Sequence, residues 1–256
     1  MTRAGGRQPD AASRPDSGAN RPGTRRVFVA VPLPEAARAD VTALVDSVRA
    51  TADPGARDVR WVRLDGLHVT LRFVGPVDEG DLKRLAGAVD AAAASVTGFR
   101  VSVESAGAFP AQGRPRVIWL GIGEGGRELG EVASAVDDAL ADVGIARSER
   151  PFRAHLTVAR ADGIRTGADV ARRLIAAAAD WRTAFVADRI VLFESISGGG
   201  PARYEPLHAV PIGNGIASSS VSGPRRPAVA PVLPSEPSAG DGTSVGARRK
   251  EQSSGT

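Results

Sequence analysis

The 256-residue chain contains no cysteine and only three histidines. The absence of cysteine excludes disulfides, thiolate catalysis and Cys-ligated zinc, and three histidines do not favour a His-rich site, so we predict no metal and no cofactor. No stretch approaches the roughly 20 apolar residues that cross a bilayer, and the first 24 residues lack the apolar segment of a secretory signal. We therefore expect a soluble, cytoplasmic protein that does not enter a membrane.

The net charge of +4 is carried by the two ends of the chain. Residues 1–24 and 213–256 each contribute +2, whereas residues 25–212 have equal numbers of acidic and basic side chains. A broad phosphate-binding surface is therefore not indicated, and any contact with RNA must come from a local site.

Both ends are rich in Gly, Ser, Pro and Arg and show no apolar periodicity. Such segments do not bury enough apolar surface to offset the entropy of ordering them. We predict a disordered tail at 1–24, one domain at 25–212, and a disordered, Ser/Gly/Pro-rich basic tail at 213–256.

Within the domain, short apolar strands alternate with amphipathic helices, which predicts an α+β fold. Helices follow strands in each half, and the short connections favour mostly antiparallel pairing. We therefore expect two similar lobes, one from each half of the chain. Near the C-terminal end of the domain, one strand is predicted over residues 185–194 and a last strand over residues 203–210.

Two of the three histidines stand in the same frame, His-Val-Thr-Leu at 68–71 and His-Leu-Thr-Val at 155–158. Each frame lies inside an apolar run typical of a strand, where alternate side chains point to opposite faces. The histidine and the threonine of each frame therefore share one face. Two imidazoles, each beside a hydroxyl, indicate paired acid–base chemistry.

The alternative for either histidine is a buried imidazole that bonds to a neighbouring strand. One such frame alone carries no weight, but a matched pair among three histidines favours catalysis. The third histidine, His208, lacks the frame and is interpreted as structural.

Further segments accompany the two frames in a fixed order: RVFVAVPLP at 26–34, WV at 61–62, LHVTLRFVG at 67–75, GAFP at 107–110, RPRVIWL at 114–120, RPFRAHLTVAR at 150–160 and RY at 203–204. On these segments, residues 26–212 resemble the RNA 2′,3′-cyclic phosphodiesterases, also called 2′-5′ RNA ligases (LigT-like), of the 2H phosphoesterase superfamily. The resemblance implies two pseudo-symmetric, mainly antiparallel sheets flanked by helices around a central groove. We also expect a monomer.

The resemblance also implies the reaction. His68 is the proton donor to the leaving 3′-oxygen, and His155 is the acceptor that activates water, without a metal. The product is a 2′-phosphomonoester, and the reverse reaction forms a 2′-5′ bond. The two motifs are chemically equivalent, so the residues alone do not assign these roles. Thr70 and Thr157 are expected to donate to the phosphate oxygens.

Four more residues are candidates for substrate binding. By resemblance Arg160 binds the phosphate, although in an ideal strand it has the opposite parity to His155 and needs either a bulge or the end of the strand to reach the groove. Phe73 and Phe152 can stack on a base, with a place in the core as the alternative. Tyr204 either contacts the ligand or supports a motif strand.

The expected partner is RNA that ends in a 2′,3′-cyclic phosphate, such as a tRNA fragment. Two alternatives remain open. The substrate can instead be a small cyclic nucleotide or a 2′-5′ oligonucleotide, or the groove can be a non-catalytic module that binds RNA ends.

Overall fold

The computed structural model describes residues 22–52, 59–111, 114–161, 166–198 and 200–213. The two predicted tails lie outside these residues except at their inner ends. There, Thr24 already begins the first strand, and Gly213 forms a bridge to Thr97.

The described residues form nine strands and four α-helices. The strands are β1 (Thr24–Pro32), β2 (Val59–Trp61), β3 (His68–Asp78), β4 (Phe99–Phe109), β5 (Val117–Ile122), β6 (His155–Ala161), β7 (Arg182–Ala187), β8 (Arg189–Ile196) and β9 (Arg203–Pro211). The helices are α1 (Glu35–Thr51), α2 (Leu82–Ala94), α3 (Gly126–Asp142) and α4 (Thr166–Ala177).

The strands form two antiparallel sheets, which confirms the predicted α+β class. Sheet A has the order β3-β1-β8-β9, and sheet B has the order β2-β6-β5-β4-β7. One histidine frame lies in each sheet, on β3 and on β6. Helices α2 and α3 pack on sheet A, whereas α1 and α4 pack on sheet B.

The expectation that each lobe is one half of the chain is wrong. Sheet A combines strands from both ends of the chain, and sheet B holds the middle together with β2. The single strand predicted over 185–194 is two strands that break at Asp188, and they belong to different sheets. The apolar pattern continues across the break, because both strands face a core and local periodicity does not encode which sheet a strand joins.

Burial follows the predicted faces of the elements. The apolar stripe of α1 is buried as its helical spacing requires, from Ala37 to Val48. The centre of β1 is buried on both faces, where Val29 and Ala30 are fully inaccessible, and its two edges pair with β3 and β8. These packed strands hold β3, and with it the first histidine, in a fixed place.

Candidate active site

The two motif strands, β3 and β6, lie against each other where the two sheets meet. Between them is a groove whose lining includes six of the eight predicted site residues: His68, Thr70, Phe73, Thr157, Arg160 and Tyr204. The seventh, His155, begins β6 and lies close enough for its charge to lower the pKa of His68. The structure thus brings both histidines and both threonines to one place.

Phe152 lies elsewhere. Its ring packs against the core beside Gly130 of α3, and it is absent from the groove lining. Of the two phenylalanines offered for base stacking, only Phe73 reaches the groove, and its side chain is 61% exposed.

Each of the two imidazoles is oriented by a hydrogen bond from Nδ1 to a backbone carbonyl. Nδ1 of His68 lies 2.7 Å from the carbonyl oxygen of Gly66, and Nδ1 of His155 lies 2.7 Å from that of Arg153. Because a carbonyl only accepts, each Nδ1 carries the hydrogen and donates it. In the neutral form, Nε2 of each ring therefore keeps its lone pair for the substrate.

Burial disfavours the charged form of both imidazoles. It lowers the pKa of His68 from 6.5 to about 4, against the opposing effect of the Gly66 carbonyl. The pKa of His155 is also lowered, first by burial and then by the positive charge of Arg160. Both rings are therefore neutral in the free protein near pH 7.

Of the two features that could bring Arg160 to the groove, a bulge and the end of the strand, β6 contains the bulge. Thr157 and Ala159 lie opposite successive residues of β5, so Val158 is an extra residue in the ladder. The bulge reverses the parity beyond it, and Arg160 returns to the face of His155. Arg160 and Tyr204 both line the groove. Burial raises the pKa of the Tyr204 phenol, and the positive charge of Arg160 opposes that effect.

An aromatic cage surrounds His68. The ring of Phe28 lies 4.8 Å from the imidazole, and the ring of Tyr204 meets it edge-on at 4.9 Å. Phe193 lies behind them, 5.3 Å from Phe28. Neither Phe28 nor Phe193 was predicted as a site residue, because their place near His68 depends on the pairing of β1 with β3 and β8.

Another aromatic group, also missed, supports His155. Phe109 meets the imidazole edge-on at 5.3 Å, and Trp119 lies 5.1 Å from Phe109. The indole lies across Gly107, where a Cβ would come within 2.4 Å of Cζ2. The glycine is thus required by close approach, a signal that one sequence does not display.

An ion pair ties β3 to the segment that leads into β6. Nε of Arg72 lies 2.6 Å from Oδ1 of Asp137 on α3, and both side chains are largely buried. Asp137 also accepts from the backbone N–H of Ser148, and Arg72 donates to the carbonyl of Ala146. These bonds fix the start of the connection that ends at His155.

Two further searches cover only the part of the chain that the structure describes. No group of three or more His, Asp or Glu side chains there is arranged to hold a metal ion. Within the same residues, no helix is both long enough and apolar enough to span a membrane.

Comparison with known proteins places this fold and site in a family. The profile of the 2′-5′ RNA ligase superfamily matches residues 32–199. The chain therefore belongs to the 2′-5′ RNA ligase superfamily, which confirms the resemblance stated from the sequence.

Two curated relatives named RNA 2′,3′-cyclic phosphodiesterase come from distant organisms. The Archaeoglobus fulgidus protein is 37% identical over 137 residues, which cover 53% of this chain and 72% of that protein. The Escherichia coli K12 protein is 30% identical over 186 residues, which cover 72% of this chain and 94% of the relative.

Solved structures agree on the fold. Escherichia coli LigT complexed with 3′-AMP superposes with a TM-score of 0.54 at 26% identity, and the match covers 74% of this chain and 98% of LigT. A Thermus thermophilus protein matches with a TM-score of 0.58 at 23% identity, over 73% and 97% of the two chains. The latter likeness concerns the fold alone.

Proposed function

We propose that this chain is a metal-independent hydrolase that opens the 2′,3′-cyclic phosphate at an RNA end to a 2′-phosphomonoester. The observation that carries the proposal is the pair of imidazoles on facing strands, each held by a 2.7 Å bond from Nδ1 to a backbone carbonyl. The names of the curated relatives supply the substrate class.

The reaction needs one base and one acid. Nε2 of His155 takes a proton from water as the water oxygen bonds to phosphorus, and Nε2–H of His68 protonates the 3′-oxygen as the P–O3′ bond breaks. Thr70 and Thr157 donate to the non-bridging oxygens, whose charge grows in the transition state. Arg160 adds a fixed positive charge on the same face. These groups cover proton transfer and charge stabilisation without a metal.

The proton on His68 depends on the substrate. Burial lowers the pKa of His68 to about 4 in the free protein, so the ring enters the reaction neutral near pH 7. A phosphate anion within about 4–6 Å favours the charged imidazole. We expect the bound cyclic phosphate to raise the pKa of His68, so that Nε2 of His68 is protonated only when substrate is present.

Several finer features belong to the same proposal. RNA with a cyclic phosphate end, such as a tRNA fragment, is the proposed partner, and 2′-5′ ligation is the minor reverse reaction because water is present at about 55 M. We further propose that the protein is a monomer and that it is located in the cytoplasm. Light scattering in solution measures the oligomeric state, and cell fractionation measures the location.

The test is product analysis on an oligonucleotide that ends in a 2′,3′-cyclic phosphate, with EDTA present. The wild-type protein is expected to give a 2′-phosphate end, and His68→Ala and His155→Ala are each expected to lose about 10²–10⁴-fold in rate. His208→Gln is the matched control, because His208 bonds to Asp90 of α2 and lies outside the groove lining.

The outcomes separate the alternatives. Turnover that stops in EDTA and returns with added metal refutes the metal-free mechanism. Comparable turnover of a mononucleotide and an oligomer points to a small-molecule substrate. Tight binding without turnover points to a module that binds RNA ends.

A further inference from the structure

The connection that leads from α3 into β6 holds the second histidine in place but has little to hold it in turn. It comprises residues 146–154, and residues 146–151 are exposed. Within the residues that the structure describes, no backbone group of 146–153 bonds to another backbone group. This connection nevertheless supplies the Arg153 carbonyl that orients His155. The position of the imidazole therefore depends on the side chains that fix the connection.

Two side chains from other elements bind the first half of the connection. Arg72 of β3 donates to the carbonyl of Ala146. Asp137 of α3 accepts from the backbone N–H of Ser148 at 3.1 Å. Nε of Arg72 lies 2.6 Å from Oδ1 of Asp137, so one largely buried ion pair supports both bonds. In the second half, the ring of Phe152 packs against the core.

The carbonyl that orients His68 is held more directly. Gly66 ends a short 3₁₀ helix, and the next residue, Leu67, accepts from the backbone N–H of Leu33 at 3.0 Å. Backbone bonds of sheet A thus fix the support of the first imidazole. The support of the second, His155, lies outside any strand and relies on side chains from sheet A and α3.

We propose that Arg72 is a positioning residue, which acts through the connection to set where the imidazole of His155 stands. The inference rests on the proposed function, in which this imidazole must face the water that attacks in line with the breaking bond. Arg72 itself lies opposite the fully buried Val29 in the ladder, and its guanidinium faces Asp137 of α3. It is therefore absent from the groove lining and does not meet the substrate.

A small error in this position is costly. A displacement of about 1 Å at a reacting group, caused by a change far from it, costs about 10²-fold in rate. Without the guanidinium, the carbonyl of Ala146 is released, and Ser148 bonds to an Asp137 that has lost its partner. The groove keeps every side chain that contacts the substrate. We therefore expect replacement of Arg72 to lower kcat and to change KM little.

The first test makes Arg72→Met in two backgrounds, wild type and His155→Ala. It measures single-turnover hydrolysis of an oligonucleotide that ends in a 2′,3′-cyclic phosphate. In the wild-type background, the rate is expected to fall about 10²-fold. In the His155→Ala background no second imidazole remains to be positioned, so little further loss is expected. A variant that merely loosens the fold lowers both rates by the same factor, and that result would overturn the proposal.

A second substrate separates an effect on His155 from one on His68, which lies on the same strand as Arg72. In this substrate, sulfur replaces the 3′-oxygen of the cyclic phosphate. A thiol has a pKa near 8.5, so its thiolate leaves without a proton donor. The loss in Arg72→Met is expected to persist on the sulfur substrate, because water must still be activated. Recovery on sulfur would show that Arg72 acts through the proton donor, contrary to the proposal.

The matched control is Arg25→Met. It breaks an ion pair of the same length, 2.6 Å from Nη1 of Arg25 to Oε2 of Glu194, which lies in sheet A and does not contact the connection. The control is expected to lower the free energy of unfolding and to keep the wild-type rate. Asp137→Asn is the milder second variant, because its amide oxygen still accepts from Arg72. It is expected to give a smaller loss that is likewise absent in the His155→Ala background.

Failure of the inference differs from failure of the proposed function. If the wild-type protein does not hydrolyse the cyclic phosphate, the proposed function is wrong and the inference fails with it. If the wild type is active and folded Arg72→Met keeps its rate, Arg72 does not position the second imidazole and the proposed function stands. A loss in the Arg25→Met control as large as that in Arg72→Met would also refute the inference, because it would assign the effect to stability.

Discussion

Replacement of His68 by glutamine tests the burial of this groove imidazole without any assay of activity. The pKa of His68 is about 4 in the folded protein and 6.5 in the unfolded chain. Between these values the unfolded chain binds a proton that the native protein does not, so the free energy of unfolding falls as pH falls. Linkage gives a loss of about 2 kcal/mol between pH 7 and pH 5, and about 3 kcal/mol in the limit.

Urea unfolding of wild type and His68→Gln across this pH range measures the effect. The free energy of unfolding of the wild type is expected to fall by about 2 kcal/mol more than that of the variant between pH 7 and pH 5. Loss of the bond to the Gly66 carbonyl shifts the curve of the variant at every pH and does not change this difference. Two parallel curves would refute the claim that burial keeps His68 neutral.

Three further predictions concern packing, an ion pair and the third histidine. Gly107→Ala is expected to destabilise the protein by about 1–3 kcal/mol, because its Cβ would overlap the indole of Trp119. The control Gly87→Ala, which has open space on α2, is expected to stabilise the protein by up to about 1 kcal/mol. Equal effects of the two variants in urea unfolding would contradict the close approach of Trp119 to Gly107. Loss of one partner of the largely buried ion pair, in Arg72→Met or Asp137→Leu, is expected to lower the free energy of unfolding by about 3 kcal/mol. The double variant is expected to lose less than the sum of the two single variants. Additive losses would show that the two side chains are not coupled. His208→Gln is expected to retain wild-type turnover, and a loss comparable to that of the groove histidines would place it in the mechanism.

Local pattern was enough to predict the strands that carry the chemistry. Alternation in a strand places His68 with Thr70, and it also shows that Arg160 needs an irregularity, either a bulge or the end of the strand, to reach the groove. The structure contains a bulge in β6. The same rule gave no bulge for β3, so the reason why Phe73 faces the groove came from the register. A bulge depends on which residues the partner strand offers, and one strand's sequence does not contain that information.

For the same reason, the local sequence pattern could not predict which sheet each strand joins. The run from 185 to 194 is apolar on both sides of Asp188, and only the neighbouring strands distinguish its first part, in sheet B, from its second part, in sheet A. Phe152 likewise lies three residues before His155, but it is outside β6 and its ring contacts α3 and the core. Proximity to a motif histidine in the sequence did not distinguish the phenylalanine that packs in the core from the one that lines the groove.

The strand order of the two sheets also determines when, during synthesis, the protein becomes an enzyme. Sheet B uses residues between Val59 and Ala187, so its strands can pair while the rest of the chain is still being made. Sheet A closes only when β8 and β9 emerge to pair beside β1, and β9 delivers Tyr204 to the ring of His68. A nascent chain that already holds both histidines but not β9 therefore lacks one strand of sheet A and the Tyr204 ring, so its groove is incomplete.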